Sequence, residues 1–109
     1  NGTGTQFSDS SEAAALRSVL GRYAPRTPVS STKSVHGHAL EASGLLELVV
    51  TVLALQSERL PVNAGFLAAD EGCALNLVLS PGQELRSRYA LSLNAAFGGA
   101  NTALLVDAA

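Results

Sequence analysis

The residues able to take part in chemistry lie in three short stretches. Near the start, Asn1-Gly2-Thr3-Gly4-Thr5 is a glycine-rich loop, with Asp9 and Glu12 just beyond it. In the middle, Lys33 precedes His38 in Ser31-Thr32-Lys33-Ser34-Val35-His36-Gly37-His38, and near the end comes Phe97-Gly98-Gly99-Ala100-Asn101. His38 follows Gly37 at a predicted helix start, where the helix dipole disfavours the imidazolium and leaves a neutral ring able to donate a hydrogen bond. A capping or packed ring would occupy the same position. Asp9 and Glu12 have the spacing of a capping box, which needs no chemistry from them. Thr3 and Thr5 are hydroxyl donors, or plain β-branched residues in a glycine loop. The lone cysteine, Cys73, stands outside all three stretches.

Those side chains must be positioned by a small set of elements. A helix is predicted from about Ser10 to Leu20, with Asp9 as cap, Ala13, Leu16 and Leu20 on one face, and Gly21 as the stop. Val29 to Lys33 reads as a short strand, and a second helix should run from Gly37-His38 to about Ser57. Its apolar residues point almost all round the axis, so it should be buried on most sides. Ala74 to Leu79, Tyr89 to Asn94 and Thr102 to Val106 are predicted strands, the last two joined across Gly98-Gly99. Helices among strands with a closing hairpin indicate an α/β domain, a mixed sheet with helices packed on its faces.

With 109 residues the chain should form a single domain spanning 1–109. Hydrophobic residues make up 47% and charged residues 15% of it, more apolar surface than a lone domain needs, so part of that surface should meet a partner. A formal net charge of −2 with scattered basic residues argues against nucleic-acid binding. The apolar run Gly44 to Gln56, interrupted by Glu47, is short for a bilayer and reads as a buried helix, so no membrane span is expected. One cysteine fits a reducing, cytoplasmic setting. The absence of methionine and the start at Asn1 suggest that the polypeptide extends upstream.

Taken in order, Asn1-Gly2-Thr3-Gly4-Thr5, Asp9-Ser10-Ser11-Glu12-Ala13, Ser31 to His38 and Phe97-Gly98-Gly99-Ala100-Asn101 resemble the C-terminal half of β-ketoacyl-acyl-carrier-protein synthases. The resemblance implies half of a thiolase-like fold, the other half carrying the nucleophilic cysteine. It implies an enzyme that condenses an acyl thioester with a malonyl group on an acyl carrier protein, releasing carbon dioxide, and works as a dimer. That chemistry needs a thiolate, an oxyanion hole and donors for the enolate. On this likeness His38 and Lys33 are catalytic, with Asn1 at the place of a family histidine. Asp9, Glu12 and Asn101 organise the site, the acidic pair lying near the lysine. Thr3 and Thr5 bind the phosphopantetheine arm of the carrier, and Phe97, Gly98 and Gly99 form a gate on the acyl pocket. A hairpin turn with a core phenylalanine is the alternative for the last group. No metal and no bound cofactor are expected.

Two departures bear on function. Asn1 can donate a hydrogen bond to an enolate oxygen, but an amide does not exchange a proton near neutral pH. Ala95 and Ala96 replace the usual Phe-Gly ahead of Phe97, which would enlarge the pocket or loosen the gate. Two functions therefore remain: a condensing synthase, inactive as this chain alone, or a non-condensing partner of the chain-length-factor type, in a homodimer or a ketosynthase-like heterodimer.

Overall fold

The computed structural model describes residues 1–109. Helix α1 spans Gln6–Leu20 and is followed by a 3-10 turn, Gly21–Tyr23. A short helix α2, Lys33–His36, precedes a 3-10 turn at Leu40–Ala42 and the long helix α3, Ser43–Ser57. The chain ends in strands β1, Tyr89–Ala95, and β2, Asn101–Asp107.

The first helix begins four residues before the expected Ser10. Gly4, at φ +73°, reverses the chain, and Thr5 in extended backbone is the N-cap, without a side-chain cap bond. Gln6, Phe7 and Ser8 contain no breaker, so the helix propagates back to them. Asp9 consequently lies inside the first turn, its N–H donating to Thr5 O at 2.9 Å, and the capping-box reading of Asp9 and Glu12 is corrected. The other end is as expected: Gly21 at φ +52° donates its N–H to Arg17 O.

The strand expected at Val29–Lys33 shrinks to one parallel bridge, Val29 with Leu77, which is also all that remains of the strand expected at Ala74–Leu79. Beyond Ser30 the backbone turns away, because the Ser31 N–H goes to the Asn63 side chain at 2.8 Å. Lys33 therefore opens a helical turn and does not end a strand. The hairpin is as predicted and slightly longer, antiparallel from Tyr89↔Asp107 to Ala95↔Asn101. The only sheet is thus two-stranded and antiparallel, an α/β arrangement without the expected mixed sheet.

Helix α3 packs on β1, with the Gly44 backbone against the Asn94 side chain. It ends at Ser57 as predicted but starts at Ser43, five residues after His38. Burial on most sides does not occur. Within α3 only Ser43 and Leu55 are buried, while Leu45, Val49 and Leu53, spaced one turn apart on one stripe, are exposed. With the preceding turn, Leu40–Ser57 reaches 18 residues at mean hydropathy 1.4, enough by length and composition to cross a membrane. Its setting is a layer, with β1 on one flank and an ion pair at Glu47.

Little of the chain is enclosed. The apolar core is Ala13, Ala24, Leu55 and Val78. The accessible surface is 7459 Å², against roughly 5,700 Å² for a compact monomer of this mass. The difference is comparable to one partner's share of an obligate interface. A cleft of about 1360 Å³ lies where a core would be, bounded by Leu16 and Leu20 of α1, Val50 and Ala54 of α3, and Leu91 and Leu93 of β1.

Candidate active site around Lys33

Of seven basic residues only Lys33 is a lysine, and it is buried, 7% exposed. A buried ammonium needs partners to offset its lost hydration. The Lys33 Nζ donates to the Asn1 backbone O at 2.7 Å and lies 3.4 Å from Asn1 Oδ1. It also forms an ion pair with the Glu47 carboxylate. Sequence reading missed Glu47 as a site residue. Its signal was the lone carboxylate in an otherwise apolar helical run, a position where a charge is costly unless paired.

The acidic pair expected beside the lysine is arranged differently. Glu12 binds the loop: one oxygen takes the Asn1 backbone nitrogen and the other the Gly2 N–H at 2.9 Å. Asp9 Oδ1 is buried without a hydrogen-bond partner. Neither carboxylate bonds Lys33, and Asn1 is the residue that links Glu12 to it. The loop is held tightly from the other side as well. Gly2 has φ +57°, and a Cβ there would lie 2.5 Å from Ser31 Cβ, so only glycine allows this approach. Ser31 Oγ completes the contact, donating to Asn1 O and Gly2 O at 3.3 and 3.4 Å.

His38 lies two residues ahead of the 3-10 turn that runs into α3, and its ring meets that helix start: the Leu40 N–H donates to His38 Nδ1 at 3.1 Å, with Ser43 Oγ at 2.9 Å from the same atom. A backbone N–H can only donate, so in the neutral ring the hydrogen sits on Nε2, which remains free as a donor. Leu40 is at φ +50°, a strained conformation for leucine that aims its N–H at the ring. His36, exposed, has the opposite arrangement: its Nδ1 faces Gly37 O at 2.8 Å and must carry the hydrogen, while Nε2 meets Thr32 Oγ1 at 2.8 Å. No hydrogen bond joins His38 to the Lys33 cluster.

The Thr3 and Thr5 hydroxyls meet each other at 3.0 Å. Phe97 is wholly exposed, so the hairpin turn is present but its phenylalanine is not in a core. Gly98 and Gly99 adopt φ +78° and +79° with open space around them, and Asn101 opens β2 opposite Ala95. The structure thus joins the first two stretches through Lys33, Asn1 and Ser31, and leaves the third apart. Chemically the cluster offers oriented donors next to a paired ammonium. Cys73, half-buried and turned back on Asp70 O, makes no hydrogen bond to it.

Residues 1–67 match the model of the beta-ketoacyl synthase C-terminal domain, a span that takes in the loop, Lys33, His38 and Glu47. The chain is 41% identical over 97% of its length to a candidate polyketide beta-ketoacyl synthase 1 of Streptomyces halstedii, covering 25% of that protein. It is 38% identical over 98% of its length to the 3-oxoacyl-[acyl-carrier-protein] synthase 2 of Coxiella burnetii, covering 26%. Against nodulation protein E of Rhizobium meliloti the identity is 36% over 95% of this chain and 26% of the relative. The chain spans about a quarter of the length of these curated relatives.

Proposed function

The chain belongs to the β-ketoacyl synthase family, as its C-terminal domain, and on that premise we propose that it serves a decarboxylative condensation of an acyl thioester with a malonyl group on an acyl carrier protein. The observation that carries this reading is the buried Lys33–Glu47 pair holding Asn1, with the His38 Nε2–H left free as a donor. Such donors stabilise the oxygen that gains charge as an enolate or a tetrahedral adduct forms. The thiolate comes from polypeptide that precedes this domain, and this chain alone does not catalyse. Thr3 and Thr5 bind the phosphopantetheine arm, Asn101 supports the turn, and Phe97 with Gly98 and Gly99 closes on the acyl chain. Phe97 is exposed because the surface it would close against belongs to that preceding polypeptide. The same polypeptide fills the cleft between α1, α3 and β1, and the assembled protein is a cytoplasmic dimer without a bound cofactor.

Asn1 favours a second reading. Its amide can donate but cannot relay a proton, which fits a partner subunit that holds acyl chains without extending them. One experiment separates the two. The full-length protein is supplied with acyl and malonyl thioesters on a carrier, and carbon dioxide and extended product are measured, with Asn1→His alongside. Product from the unaltered protein supports condensation. Product only from Asn1→His supports the partner reading, and acyl binding without carbon dioxide from either form overturns condensation.

A further inference from the structure

We propose that Asn63 is a positioning residue that sets Lys33 through Ser31, an inference that rests on the reading of Lys33 as an organiser of the site. The Asn63 side chain makes three hydrogen bonds, one through its oxygen and two through its nitrogen. Its Oδ1 accepts the Ser31 N–H at 2.8 Å, and its Nδ2 donates to Val29 O and Val78 O at 3.0 Å each. Its backbone N–H also donates to Val78 O, at 2.9 Å. One acceptor and two donors on a single planar group describe an amide and no other side chain of that length.

The consequence is local and directional. Val29 and Val78 are already joined by Val78 N–H to Val29 O at 3.0 Å, the bonding with which a parallel strand pair would continue. Asn63 takes the next N–H along, that of Ser31, and Ser30 Oγ donates to Pro61 O at 2.6 Å. Pro61 and Asn63 therefore hold the chain on both sides of the bend. Two residues later Lys33 opens α2, its N–H 3.5 Å from Ser31 Oγ, the same hydroxyl that reaches Asn1 O and Gly2 O. The bend imposed by Asn63 is what carries the Lys33 side chain back to Asn1 and Glu47. Asparagine to aspartate keeps the shape, removes both donors and faces a carboxylate toward two carbonyl oxygens.

Lys33 reports on itself, being the one lysine here. In the full-length protein its amine is labelled with limiting acetic anhydride and followed by peptide mass spectrometry. Asn63→Asp should raise the Lys33 labelling rate roughly tenfold, the equivalent of one to two lost hydrogen bonds. Leu55→Ala, with a comparable fall in melting temperature, should leave that rate near the starting value. Equal rises in both variants would mean general loosening and would overturn the proposal, as would no rise in Asn63→Asp. If Asn63→Asp does not fold, amide exchange in the unaltered protein decides: a protected Ser31 N–H supports the clamp, and a freely exchanging one overturns it. Labelling that behaves as expected in a protein without any acyl-transfer activity would leave the positioning role intact and refute the proposed function instead.

Discussion

Around Lys33 the chain supplies its own partners, whereas β2 of the closing hairpin satisfies its ladder and little more. At the first place an ammonium, a carboxylate, a loop backbone and the Ser31 hydroxyl converge within hydrogen-bonding distance. At the second, β2 is exposed at every residue except Val106, and the cross-strand pair Leu91↔Leu105 lies uncovered. The difference teaches where this chain determines its own geometry and where it leaves apolar surface uncovered. Polar organisation is local to loop, α2 and α3, while apolar organisation is incomplete.

The strongest way to break the contrast is at Glu47. Glu47→Ala leaves the Lys33 ammonium buried without a counter-charge and should destabilise the protein by about 3–5 kcal/mol, read from the urea midpoint at unchanged slope. Replacing both partners, Lys33→Met with Glu47→Leu, should recover most of that stability while abolishing any activity that depends on the site. A Glu47→Ala protein as stable as the original would mean that the pair is not buried in solution.

Glycines give the next test, because the two regions hold them for different reasons. Gly2 combines φ +57° with Ser31 Cβ 2.5 Å from the missing methyl, whereas Gly98 has φ +78° and nothing nearby. Gly2→Ala should therefore cost about 2–4 kcal/mol, conformation plus overpacking, and Gly98→Ala only about 1 kcal/mol, conformation alone. Equal losses in thermal melts would erase the distinction.

What was legible in the sequence follows the same division. α1, α3 and the hairpin were visible because their signals are local: Gly21 as a stop, apolar residues at helical spacing, and two β-rich runs around Gly98-Gly99. Lys33 and His38 were visible by resemblance to a family. Glu47 was not, since its partner lies 14 residues away across a turn that no periodicity encodes. The strand pattern at Val29–Lys33 misleads for a related reason: β-branched and small residues suit a strand, yet the Ser31 N–H that would extend it donates to Asn63 Oδ1, an amide distant in sequence. His38 is legible ahead of a helix because Gly37 resembles a boundary, but the strained Leu40 that opens the turn into α3 has no compositional signature.

The bare stripe on α3 sharpens the comparison from the apolar side. If Leu45, Val49 and Leu53 are covered in the full-length protein, Val49→Asp there buries an unpaired carboxylate and should cost about 2 kcal/mol or more. A change within about 0.5 kcal/mol, measured by denaturant unfolding, would identify the stripe as ordinary solvent surface.

The smallest effect is expected at the hairpin's own ion pair. Arg88 grips Asp107 with two parallel bonds of 2.8 Å each and stacks its guanidinium 5.1 Å above the Tyr89 ring, joining the open ends of β1 and β2. By geometry alone this fork is better than the contact at Lys33. Its side chains, however, are 58% and 41% exposed, against 5% and 15% for Lys33 and Glu47. Water solvates each partner when the other is removed, and salt screens the attraction that remains. Arg88→Ala should then cost only about 0.5 kcal/mol, falling further in 1 M salt, where the Glu47→Ala loss should persist. A loss at Arg88 as large as that at Glu47, insensitive to salt, would show that the hairpin end is buried against another surface, and the two regions would then differ only in which polypeptide covers them.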